Sequence, residues 1–242
     1  LIAGIFIGSV LGFVGAGGAM MAVPILIYGF GFEPSVASTA ALAVVGSAAL
    51  SGASAKIKTK QIYYRDATVI WAIGLTTNIG FSSIVHKLSE DFIAIGFSLV
   101  IVFAGLSMLG SPLTTIHKRM SWPVLIGVSL LIGSITGLFG IGGGFLVIPV
   151  LVLGFGTSHA VAAGTALLVI AMNSATALLG HNALWSEVSW NIPLVMGASA
   201  VVIAQIASRI KLPIDDSLLR KIFAYLLFSV AIFSLIERLF IA

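Results

Sequence analysis

Few side chains in this sequence could do chemistry, and the most distinctive groups are backbone amides. The run Gly137-Leu138-Phe139-Gly140-Ile141-Gly142-Gly143-Gly144-Phe145-Leu146-Val147-Ile148-Pro149 sets a glycine cluster inside an unbroken apolar stretch. Glycine is a poor helix former, so three in a row should interrupt a helix. In hydrocarbon, open backbone is tolerated only where protein covers it or where it lines a watery cavity. A break at this depth therefore suggests a site. Phe145 to Phe155 can restart as a short helix whose free N–H groups point back at the glycines, placing partial positive charge where an anion could sit.

The device occurs twice. Gly12-Phe13-Val14-Gly15-Ala16-Gly17-Gly18-Ala19-Met20-Met21-Ala22-Val23-Pro24 matches it at a constant offset of 125 residues. Over Ile7–Val44 and Ile132–Val169, aligned without a gap, 17 of 38 positions are identical, too many for shared apolar composition alone. The chain reads as two copies of one unit.

The elements that must position these breaks belong in a bilayer. Hydrophobic residues make up 59% of the chain, charged residues 8%, and mean hydropathy is +1.18, leaving too little polar surface for a soluble globule of 242 residues. A net charge of +4 would suggest nucleic acid in a soluble domain, but here the basic residues stand at segment ends, where cytoplasmic loops collect them. Nucleic acid is therefore not an expected partner. With no cysteine, disulfides and thiolate metal sites are excluded. No cleavable signal peptide is expected, since the apolar run from Leu1 has no basic flank. The apolar runs are Leu1–Phe30, Pro34–Ala55, Ala67–Val85, Phe92–Leu109, Trp122–Phe155, His159–Gly180, Val188–Ala207 and Leu218–Phe240. A straight helix crosses the hydrocarbon in about 20 residues, so Trp122–Phe155 must fold back or cross twice.

Charge placement orients the copies. Lys56, Lys58, Lys60 and Arg65 follow the second run, and His117, Lys118 and Arg119 precede the fifth, whereas His86–Asp91 between them carries one Lys beside two acids. In the second copy the pattern inverts: His181–Trp190 has Glu187 and no Lys or Arg, and Arg209, Lys211, Arg220 and Lys221 follow the next run. By the positive-inside rule corresponding loops lie on opposite faces. The expected fold is an all-α integral membrane protein, a polytopic helical bundle of two inverted-topology repeats, each with a glycine-broken or re-entrant helix. Residues 1–110 form the first repeat, 111–121 a cytoplasmic linker and 122–242 the second repeat, as one integrated membrane domain.

All eight acids and all twelve bases lie at or near run ends. Proton coupling through a midplane carboxylate is therefore disfavoured. The four histidines (His86, His117, His159, His181) show no metal-ligand spacing and read as interfacial residues, His181 being the least ordinary because it aligns with Lys56. No nucleophile, base or metal constellation supports an enzyme, and neither a cofactor nor a metal is expected. Recognition is left to dipoles: the amides of Gly17, Gly18, Gly142, Gly143 and Gly144, with Thr39, Thr165 and Asn173 on the helices that follow the breaks and Asn78 on the next helix. Hydroxyls and amides also glue membrane helices together, and Gly8, Gly12, Gly133 and Gly137 have the spacing of Gly-x-x-x-Gly packing pairs. Ser38, Ser47, Ser174 and Thr176 share the helices of the candidate residues, and Trp122, Tyr63, Tyr64, Trp185 and Trp190 read as interfacial belt residues.

The doubled Gly-x-x-Gly-x-Gly-Gly-x-x-x-x-x-Pro pattern, followed in the second copy by Ala162-Ala163-Gly164-Thr165, resembles the sulfite exporter TauE/SafE family over nearly the whole chain. The first copy departs from it, with Ala19 in place of the last glycine and Ser38-Thr39 where the second copy has Ala163-Gly164. The resemblance implies a bacterial inner-membrane, multi-pass permease for small sulfur-containing anions such as sulfite, thiosulfate or sulfonates. The expected partners are then a small inorganic or organosulfur anion and the lipid bilayer, with room for a homodimer. The expected mechanism is alternating access around a midplane site formed by two glycine-led half-helix N-termini. An anion channel and a membrane subunit of a larger complex are the alternatives, distinguished by single-channel conductance and by copurification of a soluble partner.

Overall fold

The computed structural model describes residues 1–16, 18–57, 59–109 and 121–210, with residues 221, 224, 225, 228, 229 and 232 of the last run. Every regular element among them is helical. In order these are α1 (Ile2–Val14), α2 (Gly18–Phe30), α3 (Pro34–Ile57), α4 (Tyr64–Ser82), α5 (Glu90–Leu109), α6 (Trp122–Phe139), α7 (Gly144–Pro149, continued by a π-helical turn over Val150–Gly154), α8 (His159–Gly180) and α9 (Asn191–Ala207). Four of the described helices (α3, α4 with its extension to Lys87, α6 and α8) are long and apolar enough to cross a membrane. Leu50, Leu99, Phe103, Leu131, Leu179 and Leu194 are exposed around the outside, a girdle that suits acyl chains and would be a liability in water. The polypeptide is an all-α membrane protein, as its composition requires. The expected linker, apart from Ser121, and most of Leu218–Phe240 lie outside the described residues.

Both long apolar runs are interrupted where the glycines stand. α1 ends at Val14 and the chain turns through Gly15 at φ 84°, while α6 ends at Phe139 and turns through Gly140 at φ 67°. Gly142 and Gly143 also have positive φ, at 72° and 64°, a region L side chains enter at a cost. The second short helix begins at Gly144, one residue before the expected Phe145. A π-helical turn follows Pro149, a residue that can neither donate an amide hydrogen nor sit easily against the preceding turn. At the other end of this half, α9 starts at Asn191, three residues later than its apolar run. The segment before it is a 3₁₀ turn over Asn182–Leu184 held by Trp185 Nε1 donating to the Leu178 carbonyl at 2.9 Å.

Packing follows the glycines. α1 lies along α9, with a Cβ on Gly8 set to stand 2.5 Å from the Ala200 carbonyl oxygen and one on Gly12 2.5 Å from Ala207 Cβ. At the positions 125 residues on, α6 lies along α4: Gly133 packs on the Gly74 carbonyl and Gly137 on that of Asn78. Backbones approach this closely only where side chains are absent, which is how membrane helices gain dispersion energy when lipid offers no hydrophobic driving force. The first helix of each copy thus packs on the fourth helix of the other.

At the centre α3 crosses α8. Thr39 meets His181, Gly46 meets Ser174 and Gly52 meets Leu167, so residue numbers rise along one helix as they fall along the other. The two aligned helices therefore run antiparallel. Met20, Leu26, Val45 and Ile141 fill the core on the α2/α3 side, and Ile70, Ile132, Leu151 and Val169 fill it between α4, α6 and α8.

Candidate functional site

The two breaks start at opposite ends of the α3/α8 crossing and meet near its middle. Gly15 packs on Ala163 at the start of α8, and Gly140 packs on Ser38 at the start of α3. From there the second break runs inward: Gly142 lies against Ile170, Val45 and Ser174, and Gly144 lies against Ile170 and Ala16 of the first break. The contact between Ala16 and Gly144 joins the two interruptions.

Several donors here lack an acceptor. Among the described residues the amides of Gly142 and Gly143 donate to no backbone carbonyl. The Ser174 hydroxyl, whose residue is fully buried, has no hydrogen-bond partner among the described residues, and its oxygen would stand 3.5 Å from a Cβ on Gly142. An orphaned buried polar group costs about 1–3 kcal/mol, so three gathered at one turn call for an explanation. No described Asp, Glu, Lys or Arg is buried, and no three described metal-ligating side chains gather. The local field is that of peptide dipoles and a hydroxyl.

The other candidate residues have defined places. Gly18 opens α2, packed on the α1 backbone at Ile7 and Leu11; Gly17 lies outside the described residues. Gly143 lies against Ile132 and Thr136. Asn78 and Asn173 meet: Asn78 Nδ2 donates to the Asn173 carbonyl at 3.0 Å, and Asn78 Oδ1 has no partner. Thr39 hydrogen-bonds His181 Nδ1 at 2.8 Å and lies 2.9 Å from the Ser35 carbonyl oxygen. Thr165 Oγ1 accepts the Tyr63 amide at 3.0 Å.

Thr39 and Thr165 are not neighbours. Thr39 stands beside His181, and the sixteen residues of α8 from Thr165 to His181 span about 24 Å at about 1.5 Å each. No small anion touches both hydroxyls in this conformation. Asn173 and Ser174 lie midway, at the level of the glycine turn.

Two residues stand out that spacing alone did not single out. Ser174 is one hydroxyl among several on α8, and only its position opposite Gly46 and Gly142 distinguishes it. His181 corrects its reading as an interfacial residue: it is 1% exposed, with both ring nitrogens bonded. Its alignment with Lys56 was the one available signal.

The family model described as Sulfite exporter TauE/SafE matches residues 1–234. The chain belongs to that family. A probable membrane transporter protein of Xylella fastidiosa is 26% identical over 236 residues, covering 94% of this chain and 90% of its own. One of Bacillus subtilis is 27% identical over 228 residues, covering 82% and 83%. A probable membrane transporter protein of Methanocaldococcus jannaschii is 33% identical over 117 residues, 46% of this chain and 43% of its own. No solved structure matches the chain. This TauE/SafE protein is thus a multi-pass membrane protein of a transporter family, and the glycine breaks lie inside the matched region.

Proposed function

We propose that this protein is a secondary transporter of a small sulfur-containing anion, such as sulfite, thiosulfate or a sulfonate, in the bacterial inner membrane. Residues 1–110 and 122–242 act as two inverted repeats joined by a cytoplasmic linker, rocking about a central site so that each face opens in turn. The antiparallel crossing of α3 and α8 and the exchanged packing of α1 on α9 and α6 on α4 support that symmetry.

One observation carries the reading: uncommitted donors gather at the second break with no buried cation beside them. The N–H groups of Gly142 and Gly143 and the Ser174 hydroxyl replace part of an oxyanion's hydration shell, and the free start of the Gly144 helix adds its dipole. Gly17 and Gly18 are the aligned candidates of the first copy, Gly18 opening α2. Asn78 and Asn173 flank the site, while Thr39 and Thr165 guard its two ends. A site without a fixed charge binds weakly enough to release its load. The membrane potential supplies the direction, since a negative interior expels each negative charge with about 2.3 kcal/mol per 100 mV.

Flux of sulfite, thiosulfate and sulfoacetate against chloride, measured in proteoliposomes with a set potential, tests this. Ser174→Ala should raise the half-saturating anion concentration about tenfold or more, the worth of one hydrogen bond to a charged acceptor. Gly143→Leu should abolish flux. Ser129→Ala, which deletes a different buried and unpartnered hydroxyl, is the control and should leave flux unchanged. Equal flux in all three would remove the proposed site.

A further inference from the structure

The transport site does not use His181, although both nitrogens of this buried imidazole are engaged. It stands just past α8, with Nε2 2.7 Å from the Gly137 carbonyl oxygen and Nδ1 2.8 Å from Thr39 Oγ1. A carbonyl oxygen only accepts, so Nε2 carries the hydrogen, and a neutral ring then takes the Thr39 hydroxyl hydrogen at Nδ1. Gly137 is in the last turn of α6, where carbonyls lose their helical partners, directly ahead of the turn at Gly140. One imidazole therefore caps the strand of backbone entering the second break and ties it to the start of α3. The adjacent Gly180 packs on Ser82 of α4, so four helices meet at this corner.

The corresponding corner at the other end lacks the clasp. An offset of 125 replaces His181 by Lys56, Thr39 by Gly164 and Gly137 by Gly12. Lys56 lays its stem against Gly164, its Cδ 3.2 Å from where a Cβ would stand. An ammonium group cannot accept a hydrogen bond, and Gly164 has no hydroxyl to offer. There the Tyr63 amide donates to Thr165 Oγ1, and Ser51 and Ser54 tie the end of α3 to Val201 and Gln205 of α9, but no side chain bridges α3 to the first break among the described residues.

We propose that His181 is a positioning residue, a latch that fastens the second glycine break to the start of α3 and keeps the path shut on the face opposite Lys56. Unfastening it is the step that opens that face. This rests on the alternating-access reading above. Burial also pushes His181 down to about 4, which keeps Nδ1 an acceptor at physiological pH.

The sequence has no cysteine, so single-cysteine reporters work in a clean background. Ser38→Cys, beside Gly140, reports on the latched corner, and Ala163→Cys, beside Gly15, reports on the other. Purified protein in lipid nanodiscs, open to both faces, is exposed to a membrane-impermeant maleimide. His181→Ala should speed labelling at Ser38→Cys at least tenfold and leave Ala163→Cys unchanged. His181→Gln, whose amide can donate to Gly137 and accept from Thr39, should restore slow labelling. Thr39→Val removes one of the two bonds and should give an intermediate rate; it carries the test if His181→Ala does not yield folded protein. Unchanged labelling at Ser38→Cys, an equal rise at both reporters, or no rescue by glutamine would overturn the latch. Absence of sulfur-oxyanion flux in the parent would sink the transport reading alone, because the labelling contrast needs no substrate.

Discussion

The two glycine breaks descend from one pattern, yet they are not built alike. In the first, α2 restarts at Gly18 and stays α-helical through Pro24. In the second, Gly144 replaces Ala19, the helix restarts one residue later, and the segment after Pro149 widens into a π turn. Alanine favours helix over glycine by about 1 kcal/mol, so the added glycine lengthens the turn. The ends of the crossing differ in the same sense: a histidine clasp at one and a lysine stem at the other. The repeated sequence pattern is shared, and substitutions at a handful of aligned positions give its two occurrences different local structure.

The largest effect expected from breaking this pattern lies where the copies agree. Leu at Gly8 or at Gly133 drives a side chain into the facing helix backbone, and each should cost at least about 3 kcal/mol or prevent isolation of monodisperse protein, whereas Gly127→Ala, with open space around it, should shift the melting temperature little. Thermal unfolding in detergent checks all three. A large effect in only one of Gly8 and Gly133 would mean that the exchanged packing is not equivalent.

A smaller effect separates the breaks themselves. Gly142→Ala forces a side chain into positive φ and against Ile170, and should cost about 1–3 kcal/mol and slow flux severely. Ala19→Gly gives the first break the glycine triplet of the second and should cost about 1 kcal/mol with flux retained. Comparable loss of flux in both would show that the breaks contribute equally.

A third effect concerns the ends and appears only as pH falls. His181 titrates at a lower pH in the folded protein than in the unfolded chain, because burial penalises its charged form. Its neutral state is then favourable above about 6.5, the ordinary value. As pH falls from there toward 4 the unfolded chain takes up the proton first, so stability declines over that window and levels off below it. Melting temperatures from pH 7 to 4 should show a component of this decline that His181→Gln lacks. An identical pH profile in the two proteins would place the titration elsewhere.

Much of the architecture was legible in the chain because its causes are local. Twenty apolar residues in a row demand a bilayer whatever surrounds them. Glycine triplets weaken a helix wherever they occur, and a match at a constant offset survives any packing. The Gly8 and Gly133 pairs were likewise readable as contact faces. What the chain concealed was which polar groups are occupied. Thr39 and Thr165 are both hydroxyls near the starts of matched helices, though one position out of register, and nothing in the sequence says that one bonds a histidine and the other the Tyr63 amide, at opposite ends of a crossing.

The sequence by itself determined the membrane class, the doubled unit and where its helices must break, since each follows from residue types within one or two turns. Only the tertiary structure decided that α3 and α8 run against each other, that Ser174 faces the glycine turn without a partner and that His181 is buried and doubly bonded. Those outcomes depend on contacts between residues far apart in sequence, such as Gly46 with Ser174 and Gly137 with His181. A hydrogen bond of that kind is settled by which backbones can come close enough, and here the glycine faces set that distance.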